Sequence, residues 1–127
     1  MHIQMMTFQL QGISQEDYQR HAAHIAPVFA RLPGLIAKVW LADPTTNTFG
    51  GVYAWEDRTA MERYREGEVY AAAATNPGLA GFADRDFAVL AAPTHITGVP
   101  LLPNAATRVG PTLLLPTSPA RVGPAYG

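Results

Sequence analysis

Residues 34–55 read GLIAKVWLADPTTNTFGGVYAW, and the reading of this stretch decides the fold. From 35 to 42 an extended chain puts Ala37, Val39 and Leu41 on one side and Lys38 and Trp40 on the other. Asp43-Pro44-Thr45-Thr46-Asn47 is turn chemistry, so residues 49–55 return antiparallel to the first run. On the return, Phe49, Gly51, Tyr53 and Trp55 share a bulky face, while Gly50, Val52 and Ala54 share a nearly bare one. Glycine weakens a strand, so a Gly-Gly pair inside one marks a bulge or a close approach to the backbone. A packed helix, a partner subunit or a ligand could each be what approaches.

Outward from this hairpin, the N-terminal side supplies a strand and a helix. Residues 2–11 alternate, with Met6, Phe8 and Leu10 on one face, and Gly12 ends the strand. Ser14 is placed to cap a helix whose first turn holds Glu16 and Asp17, where carboxylates meet the positive end of the helix dipole. Tyr18, Ala22, Ile25, Phe29 and Leu32 then form one helical stripe facing a core. Pro27 lies within it, which predicts a kink or an early break between Ala23 and Pro27.

On the C-terminal side, Asp57 is placed to cap a second helix with Ala60, Met61 and Tyr64 inward. Gly67 interrupts it, residues 69–75 form a further short helix, and Asn76-Pro77-Gly78 turns the chain into a last strand over about 83–91. The order strand, helix, strand, strand, helix, strand is the ferredoxin-like βαββαβ plan of the α+β class. It has a four-stranded antiparallel sheet with the helices on one face. Both parities of the strands carry apolar residues, so the uncovered sheet face is too apolar for a monomer and a homodimer is expected.

Composition divides the 127 residues into a folded domain, 1–92, and a tail, 93–127. The tail holds seven of the eleven prolines and four glycines, a density that predicts extended or disordered chain. Arg108-Val109-Gly110-Pro111 recurs there as Arg121-Val122-Gly123-Pro124, and Leu113-Leu114-Leu115 is a sticky spot. All ten acidic residues lie in the first part, and the whole chain carries a formal charge of −1. With no basic stripe to neutralise phosphates, nucleic acid is not an expected partner. The sequence contains no cysteine, which excludes disulfide frameworks, zinc–thiolate sites and thiol nucleophiles. No leader precedes the first strand and no apolar run approaches the ~20 residues of a membrane helix, so a cytoplasmic protein without a membrane partner is expected.

Gly34-Leu35, Lys38-Val39-Trp40 and Gly50-Gly51-Val52-Tyr53, followed by an acidic, alanine-containing helix start, resemble the YdhR-type monooxygenases. These belong to the dimeric α+β barrel superfamily, alongside the antibiotic-biosynthesis monooxygenases. The resemblance covers roughly residues 3–92 and is densest over 34–64. It implies a homodimer with a pocket between sheet and helices in each subunit. It also implies oxidation of phenolic or anthrone-like aromatics by O2 with no metal, flavin or haem.

Such chemistry needs a base, an apolar pocket and a donor for a developing oxyanion. His21 falls on the flank of the apolar stripe, between Tyr18 and Ile25, and is the candidate base, with His24 further round toward solvent. Tyr53 offers a hydroxyl as the second candidate catalytic group. Trp40, Trp55 and Tyr64 are candidates to stack a planar substrate. Lys38 shares the face of Trp40 and is either an exposed charge or an oxyanion partner. His21 and His24 also stand three apart on a helix, but no third ligand matches them for a metal site. Two other functions use the same pocket: a non-redox cyclase or isomerase acting on polyketides, and a non-catalytic small-molecule-binding dimer.

Overall fold

The structure, a computed structural model, describes residues 1–98. The four strands are β1 (His2–Leu10), β2 (Leu35–Asp43), β3 (Thr48–Trp55) and β4 (Leu79–Ala88). They form one antiparallel sheet in the order β2-β3-β1-β4. Helix α1 (Gln15–Ala30) connects β1 to β2, and α2 (Arg58–Arg65) with α3 (Glu68–Ala74) connects β3 to β4. This is the expected ferredoxin-like α+β architecture.

Register fixes which residues face the helices. Met6 pairs with Gly51, Gln4 with Tyr53 and His2 with Trp55, while Lys38 pairs with Tyr53 and Trp40 with Gly51. Side chains alternate along a strand, so these residues share one face, which closes over a core of Met6, Phe8, Phe49, Tyr53 and Trp55. Tyr18 and Phe29 of α1 and Ala60, Met61 and Tyr64 of α2 complete that core.

The helix ends follow the capping logic. Ser14 accepts a hydrogen bond from the Asp17 backbone N–H at 3.0 Å, and Asp57 accepts one from Ala60 at 2.9 Å. The break expected before Pro27 does not occur, and α1 runs unbroken to Ala30. Proline removes one backbone donor, but Ile25 and Phe29 on either side of it pack on the core and hold the last turn in place.

Two boundaries also differ from expectation. β4 begins at Leu79 rather than 83, because the chain re-enters the sheet immediately after the Asn76-Pro77-Gly78 turn. A register shift between Thr7 and Gln9, opposite Gly81 at φ +65°, absorbs the early start. Ala91–Thr97 forms a short helix, α4, in a separate compact unit that begins at Ala91. Pro93 is its third residue, where a helix has no internal acceptor for the missing N–H. The Arg-Val-Gly-Pro repeat and the leucine run lie outside the described residues. No helix among the described residues is long and apolar enough to cross a membrane.

Candidate functional site

A cavity of about 300 Å³ opens between the sheet and helices α1 and α3. Its size falls at the lower end of small-molecule pockets. Met6 and Phe8 of β1 form the floor, and Tyr18, His21, Ile25 and Phe29 of α1 form one wall. Lys38 and Trp40 of β2 and Tyr53 of β3 form a second wall, and α3 with the turn after it adds Val69, Ala73 and Asn76. The rings meet at defined angles: Phe29 stands edge-on to Trp40 with centroids 5.3 Å apart, and Phe8 edge-on to Tyr18 at 5.7 Å. Few polar groups reach this lining, and those that do come from His21, Lys38, Asn76 and the tyrosines.

Lys38 is the group that the strand pattern placed without revealing its surroundings. Its Nζ stands 3.5 Å from the ring centroids of both Phe29 and Trp40 and 4.7 Å from that of Tyr53. Among the described residues it has no carboxylate partner. The ring faces favour an ammonium, but burial acts the other way and pushes the Lys38 pKa down from 10.5 to about 7. A smaller hollow lined by Ala26, Ala30 and Leu35 meets the same side chain from the edge of the sheet. The signal available in the sequence was a lysine on the aromatic inner face of the hairpin, opposite a tyrosine and one pair removed from a glycine.

The five residues proposed in the sequence as catalytic or stacking groups divide. His21, Trp40 and Tyr53 line the cavity together. Tyr53 contributes its ring; its hydroxyl lies in the core 3.3 Å from that of Tyr64, and burial holds its pKa far above the usual phenol range. Trp55 and Tyr64 are not part of this lining. Trp55 is fully buried, stacked parallel to Tyr53 at 6.0 Å, and donates its indole N–H to Gln4 Oε1 at 2.9 Å. Tyr64 of α2 covers Trp55 at 5.2 Å, borders a separate hollow with Leu32 and Arg63, and has its pKa pushed up to about 12 by burial. The reason is position along the strand. Trp40 and Trp55 share the inner face, but Trp40 lies under the gap between α1 and α3, whereas α2 seals the end that carries Trp55.

Behind Trp55 runs a polar network that the sequence did not announce. Gln4 Nε2 donates to both oxygens of Asp84 at 3.1 Å, Arg65 donates to the same carboxylate at 2.7 and 3.1 Å, and Tyr70 donates its hydroxyl at 2.8 Å. Burial opposes ionisation of Asp84, but these donors outweigh it and hold the carboxyl below its usual value. His2 meets Asp86 at 2.6 Å, and Arg65 also reaches Asp86. The network satisfies the buried amide of Gln4 and ties β4 to α2.

The sequence model of the family described as "Putative mono-oxygenase ydhR" matches residues 3–100. The chain belongs to the YdhR family. Among curated proteins none matches the sequence significantly. Solved structures share the fold of this YdhR-family chain at low identity. NE2512 of Nitrosomonas europaea, a protein of unknown function, superposes with a TM-score of 0.61 and 19% identity, over 72% of this chain and 90% of that one. The haem-degrader MhuD of Mycobacterium tuberculosis, with two haems in its active site, gives 0.58 and 20%, over 71% and 96%. SnoaB, a cofactor-independent oxygenase of Streptomyces nogalater, gives 0.57 and 21%, over 69% and 91%. Those neighbours carry different chemistries on one architecture, so the reaction of the YdhR-family chain has to be argued from its own cavity.

Proposed function

We propose that this protein is a cofactor-independent monooxygenase acting on a small phenolic, quinol-like or anthrone-like aromatic. The observation that carries this reading is the cavity itself, an aromatic-walled apolar hollow with His21 on its α1 wall. A flat, electron-rich ring would lie in the cavity alongside this aromatic wall, next to the Lys38 amine that the rings of Phe29, Trp40 and Tyr53 hold. His21 removes the proton from the activated carbon, and the resulting anion is electron-rich enough to reduce O2 directly. For an anthrone, the CH2 carbon becomes a carbonyl, one oxygen atom of O2 enters the product and the other leaves as water. The substrate supplies all the reducing equivalents, so the protein has to bind, deprotonate and keep water away.

A homodimer is part of the same proposal. The sheet face turned away from the helices carries Ile3, Met5, Val39, Val52 and Phe87, and Met5, Val39 and Phe87 are exposed in the single chain. Burying such a face against a second copy removes it from water. Light scattering at micromolar concentration reads a dimeric mass; a monomer removes this element and leaves the pocket chemistry standing.

The reaction is tested by recording O2 uptake while the purified protein is incubated with an anthrone or a hydroquinone. Uptake above the buffer rate, with one water formed per O2, supports the oxygenase. Stable binding of the same compounds without uptake turns the reading to a cyclase, isomerase or binding protein. Haemin is added in parallel, and a Soret shift with haem loss would replace the cofactor-independent mechanism by haem chemistry.

A further inference from the structure

We propose that Lys38 is the substrate-reading group of this cavity, and that it selects hydroxyaromatics acidic enough to be held as the phenolate against its ammonium. The inference rests on reading the cavity as an aromatic-binding site, and it holds whether or not O2 is consumed there.

Lys38 is an amine without a counter-ion in a wall made of rings. Phe29 and Trp40 approach its Nζ equally closely and Tyr53 stands below it, so the amine is flanked by three π faces. The rings orient the amine, but their faces offer it no oxygen or nitrogen acceptor. Among the described residues Lys38 makes no side-chain hydrogen bond or ion pair, so the donors on its nitrogen are free for a ligand. The other ionisable groups on the lining are Tyr18, His21 and Tyr53. Burial raises both tyrosines, so neither supplies a competing anion at neutral pH. Among the described residues no carboxylate belongs to the lining.

A ligand oxyanion would meet the amine at low dielectric, where a charge-assisted hydrogen bond is strongest. The proton balance is closed in either state of the lysine. A neutral amine takes the phenol proton, giving ammonium and phenolate; an amine already protonated pairs the phenolate after its proton leaves to water. An uncharged aromatic of the same shape gains the ring contacts and nothing from Lys38. The site therefore discriminates by acidity of the substrate hydroxyl as well as by shape.

Two chromophores of nearly equal size test this. The ionised form of 4-nitrophenol is yellow and its neutral form is not, whereas 4-nitroanisole cannot ionise. At a pH below the free phenol's own pKa, wild-type protein is expected to bind 4-nitrophenol in its yellow form. In Lys38→Met the 4-nitroanisole affinity is retained, while 4-nitrophenol binds colourless and about tenfold or more weakly, the worth of one hydrogen bond to a charged group. Lys38→Arg keeps the yellow complex. Colourless 4-nitrophenol on the wild type overturns the proposal, as does equal binding by Lys38→Met, or failure of both probes to bind. Where Lys38→Met does not fold, His21→Ala decides: a yellow complex there supports Lys38, and a colourless one gives the ionisation to His21 and overturns the proposal. A yellow complex with 4-nitrophenol, together with no O2 uptake on an anthrone or a hydroquinone, sinks the oxygenase and leaves this inference intact.

Discussion

A β-carbon on Gly51 would stand 2.8 Å from Cε of Lys38, closer than non-bonded carbons approach. The bare position on β3 is therefore the space through which the lysine stem runs to reach the aromatic rings. Gly50 serves a different purpose. Its φ is +150°, and a β-carbon there would lie 1.9 Å from the Met6 carbonyl oxygen, in the backbone of the neighbouring strand. Gly51→Ala meets mainly a flexible side chain and is expected to fold with a stability change within about 1 kcal/mol. It also displaces the amine and weakens 4-nitrophenol binding. Gly50→Ala meets fixed backbone as well as an unfavourable φ, and is expected to cost at least about 3 kcal/mol or to abolish folding. Urea denaturation of the two variants reads the contrast, and equal costs would contradict this division of roles.

The partly buried lysine makes stability depend on pH in a definite direction. Lys38 has a pKa of about 7 in the folded protein against 10.5 as its ordinary value. Between those values the unfolded chain binds a proton that the folded chain does not, so stability rises with pH across that window. Below pH 7 both states carry the proton and the burial cost is present in full. Lys38→Met is expected to be more stable than wild type by about 1–2 kcal/mol at and below neutrality. The difference shrinks toward zero as pH approaches 10.5. Above pH 10 both proteins lose stability, because burial raises Tyr18, Tyr53 and Tyr64 and the unfolded chain ionises first. Urea midpoints at several pH values measure the difference; one that is constant with pH would mean that the amine is fully solvated.

The hairpin was the legible part of this chain because period-two alternation and the Asp-Pro-Thr-Thr-Asn turn act locally. Parity put Lys38 with Trp40 on one strand and Gly51 with Tyr53 on the other, and the register brings the two pairs to one face. Parity could not say which of them would border a cavity, since that depends on where helices end above the sheet. Trp40 and Trp55 carry the same local signature and meet different roofs. Lys38 shows the converse. A lysine on a strand can equally well face solvent, and only the simultaneous approach of Phe29 from α1 and Tyr53 from β3 makes it a half-buried amine among rings. The early start of β4 at Leu79 was hidden for a related reason. Gly81 and the Thr7–Gln9 register shift keep the strand paired where its sequence suggests a loop. The helix at Ala91–Thr97 overlaps the start of the expected tail because Pro93 falls in its first turn, where the missing N–H has no internal acceptor to lose; the tail's other prolines lie outside the described residues.

Placement of Trp55 in the sealed end of the core has its own consequence. Its indole N–H satisfies Gln4 Oε1, and Gln4 is 0% exposed. Trp55→Phe keeps a ring in the stack with Tyr53 but leaves that oxygen without its donor. The expected cost is about 1–3 kcal/mol, while the affinity of the folded variant for 4-nitroanisole is unchanged. A large loss of ligand affinity with little loss of stability would put Trp55 in the binding wall instead.

His21 and Tyr53 separate catalysis from packing. His21 borders the cavity on α1, beside the aromatic walls where a substrate ring would lie. Tyr53 borders the same space, but its hydroxyl is committed to Tyr64 in the core. If the base is His21, then His21→Ala lowers the rate of anthrone-dependent O2 uptake by about a hundredfold or more, the usual worth of a positioned base. Substrate binding should change little, because the ring contacts survive. Tyr53→Phe retains the ring and the wall, so the rate is expected to stay within about twofold while stability falls by about 1 kcal/mol with the lost hydrogen bond. A Tyr53→Phe variant that folds normally yet loses uptake would restore the hydroxyl to a catalytic role and require Tyr64 to release it when substrate enters. A His21→Ala variant at full rate would move the base elsewhere on the lining, and Lys38 in its neutral form would then be the remaining amine able to take the proton.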